Sequence, residues 1–220
     1  MSTAAVAGAL AEIRALATRD TPSLRRVRRT LSGRLRGAAP AEVLAAAHAL
    51  KDAGYGWVGF ELVNRHPETM QSLRLSDIER LGKGLASWGA VDAFGVYVAG
   101  TAWLRGRLSD AAVRRWARHD DLWWRRAALV ATTVLNTRAH GGRGDAARTL
   151  AVAALLVRDR EDMVVKALSW ALRALVAWDR DAVAGFLADH QHQLAARVRR
   201  EVTSKLTTGL KHPRQPGVAR

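Results

Sequence analysis

The chain has 220 residues, a size that fits one domain, and a hydrophobic fraction of 49% that can supply its core. It contains no cysteine, which excludes disulfides, thiolate metal sites and cysteine nucleophiles. A formal net charge of +15 and a pI near 11.5 indicate a polyanionic partner, either a nucleic acid or an anionic membrane.

The basic residues concentrate at the two ends of the chain. Residues 1–36 carry eight arginines against two acidic residues, and residues 190–220 carry seven basic residues against one, so each end has a net charge of +6. If both ends lie on one rim of a curved molecule, they would hold a phosphate backbone at two places. The alternative is an arginine-rich composition inherited from a GC-rich genome.

The amino-terminal stretch has an amphipathic pattern with no basic region before it. No apolar run reaches the roughly 18 residues that a membrane span needs. We therefore expect a cytoplasmic protein with no membrane partner. Its size requires no obligate protein partner, so we expect a monomer.

The elements are predicted to be helices throughout, because Ala, Leu, Val and Arg dominate and apolar residues recur at spacings of three and four. Asp120 and Asp121 are predicted to cap a helix start, as are Ser109 and Asp110. In chain order, the predicted helices cover residues 4–18, 22–36, 40–53, 56–65, 76–82, 88–100, 109–118, 121–137, 145–156, 161–177, 179–188 and 192–209.

These short helices pair at intervals of roughly 35 to 45 residues, a rhythm typical of an all-α solenoid. No identical repeat is visible, and a compact irregular bundle fits the rhythm nearly as well. The pattern predicts a single domain over residues 1–211 and a flexible tail over residues 212–220.

One carboxylate, Asp92, stands in the otherwise apolar run that follows Trp88. At a spacing of four residues, the two side chains share a helix face, about 5 to 6 Å apart at Cβ. A carboxylate in such a place needs a cation partner or marks a functional cleft. The alternative is that Asp92 is a structural partner of an arginine and that Trp88 belongs to the core.

A second stretch separates an apolar stripe from a polar face. The predicted stripe runs through Val165, Leu168, Leu172, Leu175 and Val176. Lys166, Trp170 and Arg173 share a different face, where an indole between two cations suits a surface that meets a base or sugar beside phosphates. Packing of Trp170 on the next helix is the alternative.

A third stretch contains Trp123, Trp124 and Arg126. Arg126 shares a face with apolar residues, so we expect its guanidinium to be shielded and to need an anion, either Asp92, Asp121 or a phosphate. The two tryptophans are expected in the core.

Taken in order, three motifs resemble the AlkD-type family of DNA alkylation repair glycosylases. They are Trp88-x-x-x-Asp92, Trp123-Trp124-Arg125-Arg126-Ala127 and Lys166-Ala167-Leu168-Ser169-Trp170-Ala171-Leu172-Arg173. Upstream, the run from Thr21 to Arg29 is similar to an early helix start of the family. The resemblance covers roughly residues 21–205.

The resemblance implies an α-solenoid of HEAT-like helical pairs, curved, with a basic concave face that holds duplex DNA. It implies excision of positively charged N3- or N7-alkylated purines without a cofactor and without flipping the base into a pocket. Asp92 would be the catalytic carboxylate, and Trp88 and Trp170 would flank the deoxyribose. Arg126 and Arg173 would hold the adjacent backbone, and Lys166 would add a DNA contact.

The chain also departs from the family pattern. Asp162 and Met163 stand where the family has an aromatic pair, and the amino-terminal helix is shortened relative to the family pattern. These departures bear on the DNA contacts and the range of lesions.

Other chemistries fit the sequence poorly. His190 and His192 are two residues apart, which does not align them for one metal, so no metal site is expected. The loop from Gly141 to Gly144 lacks the Gly-Lys-Ser/Thr ending of a phosphate-binding loop, so it is expected to be a flexible turn. The alternative functions are a non-catalytic HEAT-like protein that binds damaged or branched DNA and a solenoid that binds protein.

Overall fold

The computed structural model describes residues 2–212, and within them every regular element is helical. The prediction of an all-α protein is confirmed. Residues 213–220, most of the predicted tail, lie outside the described part of the chain. The chain forms two compact units, Met1–Ser109 and Asp110–Arg220. The prediction of one domain over residues 1–211 stays a prediction.

The first unit holds eight of the α-helices. They are α1 (Ser2–Ala15), α2 (Thr21–Arg34), α3 (Pro40–Asp52), α4 (Gly56–Asn64), α5 (Pro67–Ser72), α6 (Leu75–Gly82), α7 (Trp88–Phe94) and α8 (Thr101–Leu104). A π-helical segment, Gly95–Gly100, joins α7 to α8 without a break. Helix α1 packs on α3, and α2 packs on α4. Helix α3 packs on α5 in the same way, and such contacts between alternate helices are the packing expected of a solenoid.

The second unit holds the remaining helices of the described chain. They are α9 (Asp110–Trp116), α10 (Leu122–Leu135), α11 (Ala146–Ala154), α12 (Asp162–Leu175), α13 (Arg180–Asp189) and α14 (Ala196–Thr208), with a 3-10 turn at Arg138–His140. Helix α12 lies between α10 and α14 and packs on both. The HEAT-repeat assignment and the curved basic face stay predictions.

Short polar side chains begin many of these helices by accepting a hydrogen bond from an exposed backbone N–H. Asp121 accepts from the amide of Trp123 at 2.9 Å, so the predicted cap of α10 is confirmed. Ser87 caps α7 by accepting from Ala90. His66 plays the same part in α5, with its ring Nδ1 as the acceptor.

Two helical stretches were missed by the sequence patterns. No predicted helix covers Pro67–Ser72, yet Pro67 occupies the first turn of α5, where its missing N–H costs nothing. The predicted helix over residues 88–100 ends at Gly100, yet the helix continues through this residue to Leu104.

The glycines of the loop after α10 are needed for close packing. A Cβ on Gly142 would lie 2.2 Å from the carbonyl oxygen of Val134. Gly144 has a φ of +85°, and a Cβ there would lie 2.8 Å from Trp178. The loop is a turn, as predicted, but its glycines let it pack tightly against α10 and Trp178.

Candidate functional site

In the first unit, the Trp88–Asp92 pair lies on the short helix α7. Trp88 is the first residue of the helix, and 63% of it is exposed. Asp92 lies one turn later and is half-buried, between the buried Val91 and Ala93. The carboxylate therefore emerges at the edge of the core, on the helix face it shares with an exposed indole. Trp88 is not a core residue.

The helix widens into its π-helical segment directly after Asp92 and Phe94. The amide of Asn64, at the end of α4, donates to the carbonyl of Tyr97 at 2.8 Å and to the hydroxyl of Thr101 at 3.0 Å. That hydroxyl donates in turn to the carbonyl of Val96. Segments of this type occur frequently at functional sites, because they re-aim side chains on a helix. Asn64 thus stabilises the irregular backbone that follows the candidate carboxylate.

Another carboxylate of the first unit, Glu61, lies on α4 and is buried, with 2% of it exposed. It lies 3.7 Å from Nε of Arg25 and 3.6 Å from Nε of Arg28. Arg25 also donates to the hydroxyl of Tyr97 and lies over the ring of Trp57. Glu61 was not predicted as a site residue, although it shows the same signal as Asp92, which is one carboxylate in an apolar helix.

In the second unit, the predicted stripe of α12 is buried along its whole length, from Val165 to Val176. Trp170 lies off the stripe and is half-buried, and Lys166 is exposed. Asp162 is within 2.6 Å of both Lys166 and Arg197 of α14. The departure from the family pattern at position 162 therefore gives Lys166 a carboxylate partner. Both ends of that pair are exposed, so the attraction between them is weak.

Arg126 of α10 is only 5% exposed, so its expected shielding is confirmed. Its Nη1 donates to the carbonyl of Met163 in the first turn of α12. Asp121, one of the expected anions, caps α10. The neighbouring Arg125 forms an ion pair with Asp159, with 2.7 Å between Nε and Oδ2. Arg126 therefore joins α10 to the start of the helix that carries Lys166 and Trp170.

Arg173 is held by a buried polar cluster between α12 and α14. Its Nε donates to the hydroxyl of Ser169 at 3.2 Å, and that hydroxyl donates to Glu201 at 2.6 Å. Glu201 is 5% exposed and also lies 3.5 Å from Nζ of Lys211. Burial alone would raise the pKa of Glu201, but the Ser169 hydrogen bond and the two cations together hold that pKa below its usual value.

The cluster predicts how stability depends on pH. Because the folded-state pKa of Glu201 is lowered, its stabilising contribution is fully present above the ordinary glutamate pKa of about 4.3 and is lost as the pH falls through the lowered folded-state pKa. We expect the wild type to melt above Glu201→Gln at pH 7 and this difference to shrink over that fall in pH. Other acidic groups titrate in both proteins and cancel in the difference. If the difference in melting temperature stays constant with pH, the ionised Glu201 carboxylate does not stabilise the fold in this way.

The expectation that Trp123 and Trp124 belong to the core is wrong. Both are half-buried, and Trp124 packs against the ring of Trp116, with centroids 5.0 Å apart. The buried tryptophans are Trp103 and Trp116, each 2% exposed. Trp123 and Trp124 lie in the first turn of α10, at the end of the helix, where they are only partly covered.

Among residues 2–212, no cluster of three potential metal ligands occurs. No helix in this part of the chain has the length and apolar character required to cross a bilayer.

A family model described as DNA alkylation repair enzyme matches residues 16–206. The chain belongs to this family. Neither a curated protein nor a solved structure gives a significant match. The resemblance inferred from three short motifs is thereby confirmed over most of the chain.

Membership supports an enzyme role for this DNA alkylation repair protein and indicates that DNA is its partner. The net charge of +15 agrees with such a partner, since phosphate contacts by Lys and Arg dominate affinity for DNA. Asp92, Trp88, Lys166, Trp170, Arg126 and Arg173 all lie within the matched residues.

Proposed function

We propose that the protein is a DNA glycosylase that removes positively charged N3- or N7-alkylated purines from duplex DNA. The observation that carries the proposal is a half-buried carboxylate, Asp92, on one helix face with the exposed Trp88, in a chain of the DNA alkylation repair family. A protein that only binds DNA has no need of a carboxylate on a surface that meets phosphates, because the like charges repel.

The chemistry asks little of the protein beyond electrostatic stabilisation. The bond between the sugar C1′ and the base nitrogen breaks, and its electron pair leaves with the cationic base, which becomes neutral. Positive charge develops on the sugar, where the Asp92 carboxylate stabilises it and orients a water molecule. The water oxygen bonds to C1′ and releases its proton to the carboxylate or to solvent. No strong general acid is required, because the base is already a good leaving group.

We propose that each unit contacts the DNA through its own residues. In the first unit Trp88 packs against the deoxyribose at the lesion. In the second unit Trp170 packs against sugar, and Lys166 and Arg173 bind the backbone. A contact between the Arg126 guanidinium and the DNA backbone stays a prediction. The hydrogen bond from Arg126 to the carbonyl of Met163 favours a further role, which is to position α12.

The test compares charged and neutral lesions. We expect abasic sites in duplexes that carry N7-methylguanine or N3-methyladenine. We expect none in duplexes with O6-methylguanine, which is alkylated but uncharged and therefore a poor leaving group. Abasic sites would be scored by alkaline cleavage of the labelled strand, with undamaged duplex as the blank. Equal excision of charged and neutral lesions would contradict a mechanism that needs a cationic leaving group.

A further inference from the structure

A cavity in the first unit lies among α2, α4 and the start of α5, and it is lined mainly by basic residues. Its volume is about 260 Å³. Arginines supply its charge, at positions 28, 29, 36 and 65, and Ser32, Gly33 and His66 also line it. No acidic residue lines it. The nearest carboxylate to Arg28 that the structure shows is the buried Glu61, outside the wall.

The polar side chains of the wall offer donors. Arg28 donates through Nη1 to the hydroxyl of Ser32 at 3.3 Å. A hydroxyl that accepts in this way keeps its own proton for a further acceptor. Each guanidinium carries five N–H groups and no acceptor, in a planar arrangement that matches phosphate oxygens.

His66 adds a buried donor. It is 6% exposed, and its Nδ1 accepts a hydrogen bond from the amide of Thr69 at 3.2 Å. The ring proton therefore lies on Nε2. Nε2 is buried and has no hydrogen-bonding partner among the described residues. Buried polar groups are nearly always satisfied, so a buried donor without a protein partner beside a basic cavity suits an anionic acceptor at that place.

The electrostatics of Arg28 agree with this interpretation. Burial lowers the pKa of Arg28, Glu61 opposes that effect, and the charges of Arg65, Arg29 and Arg25 lower the pKa further. Arg28 therefore experiences the repulsion of several cations at once, and a bound anion would relieve it.

We propose that this cavity binds one phosphate group, held by the guanidinium groups around it and by Nε2–H of His66. Neither Asp92 nor Trp88 lines the cavity, so it adds an anchoring point for nucleic-acid backbone that the excision chemistry does not include. A backbone phosphodiester and a free phosphate share the chemistry that the site recognises, and the experiment separates them.

Gly33 allows the cavity to be closed without disturbing the fold. It lies inside α2 and lines the cavity, and a Cβ added there meets no atom within 4 Å. A side chain at this position also favours the helix over glycine. Gly33→Glu places a carboxylate at the site, and Gly33→Gln is its match in size without the charge. Gly185→Glu, at another open helical glycine, controls for the change in net charge.

The experiment titrates each protein with inorganic phosphate and with a short undamaged duplex, after thermal melting has shown that all are folded. We expect Gly33→Glu to bind both probes roughly tenfold more weakly than Gly33→Gln, because a charge-assisted contact is replaced by repulsion. The salt dependence of duplex binding should also decrease by about one phosphate contact. Gly185→Glu should match the wild type for inorganic phosphate.

If Gly33→Glu binds inorganic phosphate more weakly than Gly33→Gln but binds the duplex equally well, the result would support a phosphate site that takes a free phosphate. Equal affinities of Gly33→Glu and Gly33→Gln for both probes would overturn the proposal.

His66→Asn tests the buried donor, because Asn keeps the cap acceptor for Thr69 and lacks Nε2–H. We expect it to weaken phosphate binding, and an unchanged affinity would overturn the part assigned to His66. Both probes lack a lesion, so these outcomes are independent of the glycosylase reaction.

Discussion

Asp92→Asn is expected to slow excision of N7-methylguanine by about 100-fold, the scale observed when one preorganised electrostatic group is removed. The substitution keeps the shape of the side chain and removes the charge that stabilises the sugar in the transition state. Affinity for undamaged duplex should stay equal or increase slightly, because a repulsion with phosphates has gone. Single-turnover rates and equilibrium binding, measured on the same preparations, separate the two effects.

The matched control is Asp189→Asn, the same chemical change at an exposed position at the end of α13. It should excise at the wild-type rate. Melting temperatures should be alike for all three proteins, since Asp92 is only half-buried and the amide is isosteric. Wild-type excision by Asp92→Asn would remove the catalytic assignment of this residue.

Two tryptophans are expected to respond to replacement in opposite ways. Trp116→Ala should cost about 3 to 5 kcal/mol in the free energy of unfolding, because Trp116 is 2% exposed and packs against Trp124. Trp88→Ala should change stability by no more than about 0.5 kcal/mol, because 63% of the side chain is exposed. Excision by Trp88→Ala should nevertheless decrease about tenfold, the effect of losing one aromatic contact with the nucleotide.

Denaturant unfolding and single-turnover excision, measured for both variants, test this contrast. A loss of stability in Trp88→Ala as large as that in Trp116→Ala would return Trp88 to a structural role. If a stable Trp88→Ala variant excises at the wild-type rate, the indole makes no contact at the lesion that excision needs.

Much of the fold follows from local sequence signals. The period of apolar residues predicted the helices, and the buried stripe of α12 agrees with its predicted members. Helix starts at Asp121 and Ser87 follow from side chains that accept backbone hydrogen bonds. These features are local, so they can be deduced without knowing what packs where.

The errors have a common cause, which is tertiary contact. Trp123 and Trp124 have the size and apolar character of core residues, but only a neighbouring helix decides whether such a side chain is covered. The π-helical segment after Asp92 depends on Asn64 of another helix, and no local signal announces it. The basic cavity likewise combines arginines of α2 with Arg65 and His66, which lie some thirty residues later.

The candidate site was predictable to the level of residue types. The spacing of Trp88 and Asp92 predicted a shared face, and the lone carboxylate predicted a special environment. The same signal applied to Glu61, which serves as a structural partner of Arg25 and Arg28. The sequence pattern therefore identifies a lone carboxylate in an apolar helix. Only the structure shows whether that carboxylate pairs with buried arginines, as Glu61 does, or lies beside an exposed indole, as Asp92 does.

The glycosylase proposal is tested most directly by release of free base. Excess wild-type protein would be incubated with duplex DNA that carries N3-methyladenine, and free N3-methyladenine and abasic strands would be quantified over time. The account predicts that both products appear in equal amounts and faster than spontaneous depurination. Tight binding of the damaged duplex with no release above the spontaneous rate would contradict it and would favour a non-catalytic HEAT-like protein that binds damaged DNA.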